Sequence, residues 1–248
     1  QPHPARTTRI QPMTETDFDF RLPDGREAAA AVFDLDETLI HGDSTLDWTD
    51  WLYRSGTTSD PRYRQVAVEM AHRYREGTLD IHWFVRETAP AVAHLTPVQF
   101  NALLTRFVRE TVLPKAYPEG AAVIRAAKRR GIPVLIISAT VSFIVKPVAE
   151  GLGVEEAIGV DVAFRDGIPT GEIVGTPSFR DGKVTRLREW GKAHGIRPED
   201  VIFFTDSRND LPLAREAGHC AVVNPDDVLR QEALLKGWPI LSWGAQAH

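Results

Sequence analysis

The sequence predicts an α/β fold: a doubly wound, Rossmann-like parallel sheet whose core is interrupted by a helical insertion. Three observations predict it. Five short apolar runs, at 29–33, 134–137, 158–162, 201–204 and 221–223, have the length of buried strands. Helical patterns at 143–152 and 183–194 alternate with them, as in a doubly wound sheet. Roughly a hundred residues separate the first run from the second, far more than one crossover helix requires.

Residues 1–12 precede Met13 and are set aside, and residues 1–20 as a whole are expected to form a mobile N-terminal extension. The core is assigned to 21–43 and 116–248, and residues 44–115 to a helical cap. Within the cap, Trp48, Trp51 and Leu52 mark an opening helix. Asp60-Pro61 starts a second, whose stripe of Tyr63, Val66, Met70 and Tyr74 runs to Gly77. A third covers 81–88. Thr96-Pro97 opens a fourth, with Gln99 completing a capping box and Phe100, Leu103, Leu104 and Phe107 forming its apolar face. The cap aromatics Trp48, Trp51, Tyr53, Tyr63, Tyr74 and Trp83 read mainly as packing residues, because aromatics at helical spacing usually face a core.

The core resumes at Tyr117-Pro118-Glu119-Gly120. Lys128, Arg129 and Arg130 fall in the last turn of a helix ending at Gly131, where cations complement the helix dipole. Asp166-Gly167 reads as the turn of a small hairpin on the sheet margin, between 162–164 and 173–174.

Composition narrows the function. The chain has 248 residues and a formal charge of -5, which disfavours the clustered basic face that nucleic acid requires. The single cysteine, Cys220, cannot form an internal disulfide and lies in an apolar run. No apolar stretch approaches the ~18 residues of a membrane span. The expectation is a cytoplasmic protein, monomeric or homodimeric, acting on a small molecule without membrane or nucleic-acid partners.

The chemistry concentrates at strand exits. Asp34 and Asp36, two residues apart, follow directly on the first run. In open α/β sheets ligands bind at the carboxyl ends of the strands. Two carboxylates this close repel unless a cation lies between them or one is protonated, and a hard ion such as Mg²⁺ suits them. Ser138 ends the second run ahead of a helix whose free N–H groups favour an anion. Lys183 follows Gly182 at a helix start, where a cation is unfavourable unless an anion sits beside it. Asp206 ends the fourth run, and Asp210 follows one turn later. Taken singly, each also fits an ordinary cap or surface role; together they mark one site.

Taken in order, Asp34-Leu35-Asp36-Glu37-Thr38, Ser138, Lys183, and Asp206 with Asp210 resemble the four motifs of the haloacid dehalogenase superfamily of phosphohydrolases. Ser138-Ala139-Thr140, Gly182-Lys183-Val184-Thr185-Arg186 and Asp206-Ser207-Arg208-Asn209-Asp210 are similar to its phosphoserine phosphatase-like branch, which carries a helical cap between the first two motifs. The resemblance implies a Mg²⁺-dependent phosphatase of a small soluble phosphomonoester. Asp34 would be the nucleophile, forming an aspartyl phosphate, and Asp36 the general acid and then base. The metal ligands would be Asp34, the carbonyl of Asp36, and Asp206. Ser138 and Lys183 would bind phosphate oxygens. Asp210, Asn209 and Thr38 would support them from behind, while His41, Asp43 and Arg86 are candidates for reading the substrate.

Transfer of phosphate to an alcohol acceptor remains open beside hydrolysis. Asp36 and Asp206 argue against a dehalogenase, which needs neither a metal nor a leaving-group acid. The same Asp36, with the chain length, argues against a signalling receiver domain. One departure from the branch bears on substrate. Phosphoserine phosphatases resemble this chain in carrying an acid nine residues after the nucleophile, here Asp43, but also a cap Arg eleven residues after a cap Gly. Counted from Gly77, that position is Thr88, and Arg86 lies two residues earlier. The expected substrate therefore lacks a carboxylate and retains an amine or hydroxyl, as in an amino-alcohol phosphate or a sugar phosphate; phosphoserine is the alternative.

Overall fold

The computed structural model describes residues 18–244. Strands β1 (Ala30–Phe33), β2 (Val134–Val141), β3 (Glu156–Val160), β6 (Val201–Thr205), β7 (His219–Val223) and β8 (Ile240–Leu241) form one parallel sheet in the order β3-β2-β1-β6-β7-β8. Because side chains alternate along a strand, this sheet feeds two cores. Ala31, Phe33, Ile136, Ile202 and Phe204 face α5 (Pro118–Arg129) and α6 (Ser142–Gly151). Ala30, Val32, Leu135, Ile137, Val201 and Phe203 face α7 (Asp181–His194), α8 (Leu211–Glu216) and α9 (Asp227–Lys236). Burial on both faces explains why the strand runs read as continuously apolar. The doubly wound α/β fold expected from sequence is the one found.

The chain builds outward from β1 in one direction through β2 and β3, then returns to β1 and builds the other way through β6, β7 and β8. Strand order therefore reverses between β1 and β6, the place where such sheets leave a crevice. Between β1 and β2 the chain forms α1 (Ser44–Arg54), α2 (Arg62–Glu76), α3 (Ile81–Thr88) and α4 (Pro97–Phe107), followed by a π turn at Val108–Val112 and a 3-10 turn at Leu113–Lys115. Thr96 and Gln99 form the reciprocal capping box at the start of α4. Trp48 packs edge-on against Phe107 at 5.0 Å, and both join the core cluster beneath.

Three expectations need correction. The third strand does not reach Val162: β3 ends at Val160, and Val162 begins β4 (Val162–Arg165), which among the described residues pairs only with β5 (Ile168–Ile173). The break falls at Asp161, whose side chain accepts from Ser142 and Arg186 and whose carbonyl accepts from Val174. The β4–β5 hairpin is thus a separate sheet rather than a sheet margin. It lies against α3, so closely that a Cβ on Gly171 would come within 2.9 Å of the Arg86 Cα. Finally, the extension expected to be mobile over 1–20 ends sooner. Phe20 is buried, and Phe18 packs on Phe20 and Phe204; the rest of that expectation, residues 1–17, lies outside the described residues.

Phe204 holds this centre together, stacking on Phe33 at 4.3 Å and meeting Phe18 and Trp243. Phe204→Ala is expected to cost about 3–5 kcal/mol, the usual penalty for emptying a packed aromatic site. Urea denaturation of the folded variant measures it.

Candidate active site

The loop after β1 is wound tightly enough to present two carboxylates differently. Thr38, Leu39 and Ile40 all donate backbone N–H groups to the Leu35 carbonyl, and Glu37 takes φ 59° to make that turn. Asp34 thereby stays at the strand end, buried, with its backbone N–H on the Phe204 carbonyl of β6. Asp36, half-buried, is turned elsewhere: Oδ1 accepts the Ser44 N–H at 2.7 Å and Oδ2 accepts the Thr140 hydroxyl at 2.7 Å. Burial and the neighbouring Asp43 carboxylate push Asp36 up to about 7, against the opposing hydrogen bonds from Ser44 and Thr140.

The exit of β6 supplies the second wall. The Thr205 hydroxyl donates to Asp210 Oδ2 at 2.7 Å and accepts the Ser207 N–H, while Ser207 caps the 3-10 turn of Arg208–Asp210 by accepting from Asn209. Lys183 arrives from the first turn of α7. Its Nζ lies 3.0 Å from Asp34 Oδ1 and 2.9 Å from Asp210 Oδ1, and all three groups are buried. Burial alone would lower the Lys183 ammonium, but Asp210 and Asp34 outweigh it and hold the group charged. Burial pushes Asp210 up to about 6 despite the nearby ammonium.

Among the described residues Asp206 has no such partner. Thr38 donates to its Oδ1 at 2.9 Å, yet burial, then Asp34 and Asp210, push it well above the ordinary carboxylate range, and Asp34 stands within hydrogen-bonding reach of it. One ammonium for two buried carboxylates and the half-buried Asp206 leaves a negative excess that a divalent cation would relieve. Among the described residues no three His, Cys, Asp or Glu side chains already surround a common point. The donor set expected from sequence, two carboxylates and the Asp36 carbonyl, does not require such a trio.

Asp34, Asp36, Ser138 and Asp206 line one cavity of ≈ 840 Å³. Ser138 is buried there, and its Oγ accepts the Thr140 N–H. Lys183, Asp210, Thr38 and Asn209 gather around it through the bonds described. Two substrate-reading candidates do not join them. His41 is exposed, with Nδ1 near the Tyr117 hydroxyl at 3.2 Å, and Arg86 is exposed on α3; neither lines the cavity. Asp43 does line it, but its Oδ1 caps α1 by accepting from Thr45 and Leu46.

Sequence reasoning missed two contributors. Thr140, the donor to Asp36, was visible only as a neighbour of Ser138. Tyr74, expected to be a packing residue, lines the cavity instead. Burial and the charges of Asp34, Asp210 and Asp206 raise its phenol well above its ordinary value, against a hydrogen bond with Ser207.

The chain has relatives among known proteins, in both sequence and fold. A family model described as haloacid dehalogenase-like hydrolase matches residues 31–215. A histidinol-phosphatase of Neisseria meningitidis is 33% identical over 217 residues, covering 86% of this chain and 98% of its own. A crystal structure of a Bordetella pertussis protein of unknown function superposes with a TM-score of 0.78 at 34% identity, covering 86% of this chain and 97% of its own. At 19% identity, a phospho-aspartyl intermediate analogue of phosphoserine phosphatase shares the fold, with a TM-score of 0.65 and coverage of 88% and 94%.

The triangle of Lys183, Asp34 and Asp210 makes a stability prediction. Lys183→Met in metal-free buffer leaves buried carboxylates without their ammonium, an expected loss of about 3–5 kcal/mol at pH 8. A carboxyl whose folded value lies above its unfolded one binds protons more tightly when folded, so stability falls as pH rises through that window. Asp210 is already raised with Lys183 present, and removing the ammonium raises it further. The loss at pH 5 is therefore expected to be smaller than at pH 8, measured by urea denaturation at both. Equal losses would show that charge is not the cause.

Proposed function

The chain belongs to the haloacid dehalogenase-like hydrolase family and is a phosphoric monoester hydrolase, and from that premise we propose that it hydrolyses a small amino-alcohol phosphate of the histidinol phosphate type through a phosphorylated Asp34. The observation that carries the mechanism is the division between the two acids. Asp34 sits beside the Lys183 ammonium, whereas Asp36 is held apart by Ser44 and Thr140 and raised to about 7. One is built to attack as a carboxylate and the other to carry a proton.

In the first step an Asp34 oxygen bonds to phosphorus as the ester P–O bond breaks, and Asp36 gives its proton to the departing alkoxide oxygen. In the second, Asp36 takes a proton from water as that water attacks phosphorus, releasing Asp34 and inorganic phosphate. Ser138 and Lys183 bind the phosphoryl oxygens, and Asp210 with Thr205 fixes the ammonium. Mg²⁺, held by Asp34, Asp206 and the Asp36 carbonyl, would neutralise the cluster and the incoming phosphate. The inserted helices act as the cap that excludes water.

The cavity lining supports the substrate class. Beyond the cluster it is lined by Glu37, Asp43, Asp47, Asp226 and Asp227 against only Arg75 and Arg208, with Met70, Leu79, Ile81 and Phe84 as its apolar wall. Such a surface favours a cation attached to a partly apolar body. The position expected for a carboxylate-binding Arg holds Thr88, whose hydroxyl donates back to the Phe84 carbonyl, and Arg86 points elsewhere than the cavity lining. A carboxylate there loses a bidentate partner and its hydration.

Asp34→Asn is expected to abolish turnover in a folded protein. EDTA is expected to abolish wild-type turnover, and Mg²⁺ to restore it and raise the melting temperature, an effect much reduced in Asp34→Asn. Full turnover in metal-free buffer, or by folded Asp34→Asn, contradicts the mechanism.

Phosphate release from a panel of phosphomonoesters tests the substrate. Histidinol phosphate is expected to exceed phosphoserine in kcat/KM by about tenfold or more, the worth of one charge-assisted contact. Phosphoserine at the top of the ranking would reverse the assignment.

A further inference from the structure

On α2, Tyr63, Val66 and Met70 are buried, and helical spacing would place Tyr74 in the same packed stripe. It lines the catalytic cavity instead, together with Asp34, Ser138 and Asp206. A phenol is an apt group for that position. It brings a donor without bringing a charge, so it can face carboxylates and a phosphoryl group alike.

The backbone of Tyr74 is gripped by the loops that build the site. Asn209 Nδ2 donates to the Tyr74 carbonyl at 2.8 Å. Asn209 is itself fixed, because its N–H donates to Ser207 Oγ at 3.1 Å and Arg180 Nε donates to its Oδ1 at 3.3 Å. The Arg180 guanidinium lies over Phe179, whose ring is 6.1 Å from that of Tyr74. At the end of the same helix, a Cβ on Gly77 would come within 3.5 Å of Arg180 Nη2 and 3.6 Å of Arg208 Nε. Two guanidinium groups and an amide thus meet the carboxyl end of α2, where free carbonyls and the helix dipole favour donors and positive charge. Arg180 precedes Lys183 by three residues, and Arg208 and Asn209 follow Asp206 by two and three. The seat of α2 and the phosphate site are built from the same two loops.

We propose that Tyr74 is a phosphate-binding residue delivered by α2, and that Asn209 is its positioning residue, so that docking of α2 completes the phosphate site. This role presupposes the Asp34 phosphatase reading. The Tyr74 hydroxyl donates to a phosphoryl oxygen from the cap side, opposite the contacts from Ser138 and Lys183. The contact is with the group common to all substrates, and so it does not depend on the leaving group.

The test is equilibrium binding of inorganic phosphate in Mg²⁺ buffer by titration calorimetry, which needs no turnover. Tyr74→Phe, which keeps the ring, is expected to weaken binding about tenfold, as for a lost hydrogen bond to a charged group. It should lower kcat/KM for histidinol phosphate and p-nitrophenyl phosphate by a similar factor. Asn209→Ala is expected to weaken phosphate binding comparably, and the double variant to bind little worse than Asn209→Ala alone, because both act through one contact. Thermal melts establish that each variant is folded. Unchanged phosphate affinity in folded Tyr74→Phe, a loss confined to one substrate, or full additivity in the double variant would each overturn the proposal. Wild-type protein that binds no phosphate would instead overturn the phosphatase reading, and this role with it.

Discussion

One ammonium between two buried carboxylates is the constraint around which the core is arranged. Lys183 can remain charged at 1% exposure only because Asp34 and Asp210 lie beside it, and they can remain buried only because it is there. The backbone makes room for this arrangement at Gly182, where any Cβ would fall 1.9 Å from the Pro177 carbonyl oxygen. Thr205 supplies a further donor to the buried Asp210, and Thr38 supplies one to the half-buried Asp206. These groups come from three segments far apart in sequence. They meet because strand order reverses between β1 and β6, which puts two strand exits side by side with α7 beneath them.

The same economy separates Asp36 from Asp34. Two residues along an extended strand would leave both carboxylates on one face, repelling each other. The turn centred on Glu37 breaks that alternation, and Asp36 finds its donors in the Ser44 N–H and the Thr140 hydroxyl. Ser44 is the first residue of α1, so Asp36 is anchored to the point where the inserted helices begin. Any movement of that segment about its junction with the core is felt at Asp36 without an intermediary.

Legibility in the sequence followed the physics of each feature. Strands buried on both faces are continuous apolar runs; the acids and hydroxyl that follow them are conspicuous because polar groups at strand exits need partners, and the lysine because a cation at a helix start needs an anion. The run 158–162 misled because Val160 and Val162 flank a single Asp161, and one polar residue does not announce that the chain leaves the sheet. The pair Ile240 and Leu241 is too short for any periodicity to register. Asp43 carried a readable signal, an acid immediately before a helix start, and its capping bonds follow from that. Tyr74 did not: helical spacing assigns a residue to a face of α2, but not to what that face meets along its length. Near Tyr63 the face meets packed core; over the last two turns, where Met70, Ala71, Tyr74 and Arg75 lie, it meets the cavity.

The inserted helices also pack where the acid is held. A small apolar cavity of ≈ 60 Å³, lined by Trp48, Phe84, Val85, Phe143 and Ile144 among others, shares Thr45, Ile81, Phe84, Ala139 and Thr140 with the catalytic cavity. Thr140 is therefore a wall between an apolar pocket and a polar one. Its hydroxyl has the Asp36 carboxylate at 2.7 Å and the hydroxyls of Ser44 and Thr45 at 3.4 and 3.3 Å, and the residue also lines the mainly apolar smaller cavity. In such surroundings a hydroxyl has few alternative partners, and water has little to hold it on the apolar side. The orientation of Asp36 is thus fixed from behind by the packing of α1 and α3, and in the proposed mechanism the apolar core of the insertion would serve the proton transfer as directly as the polar groups do.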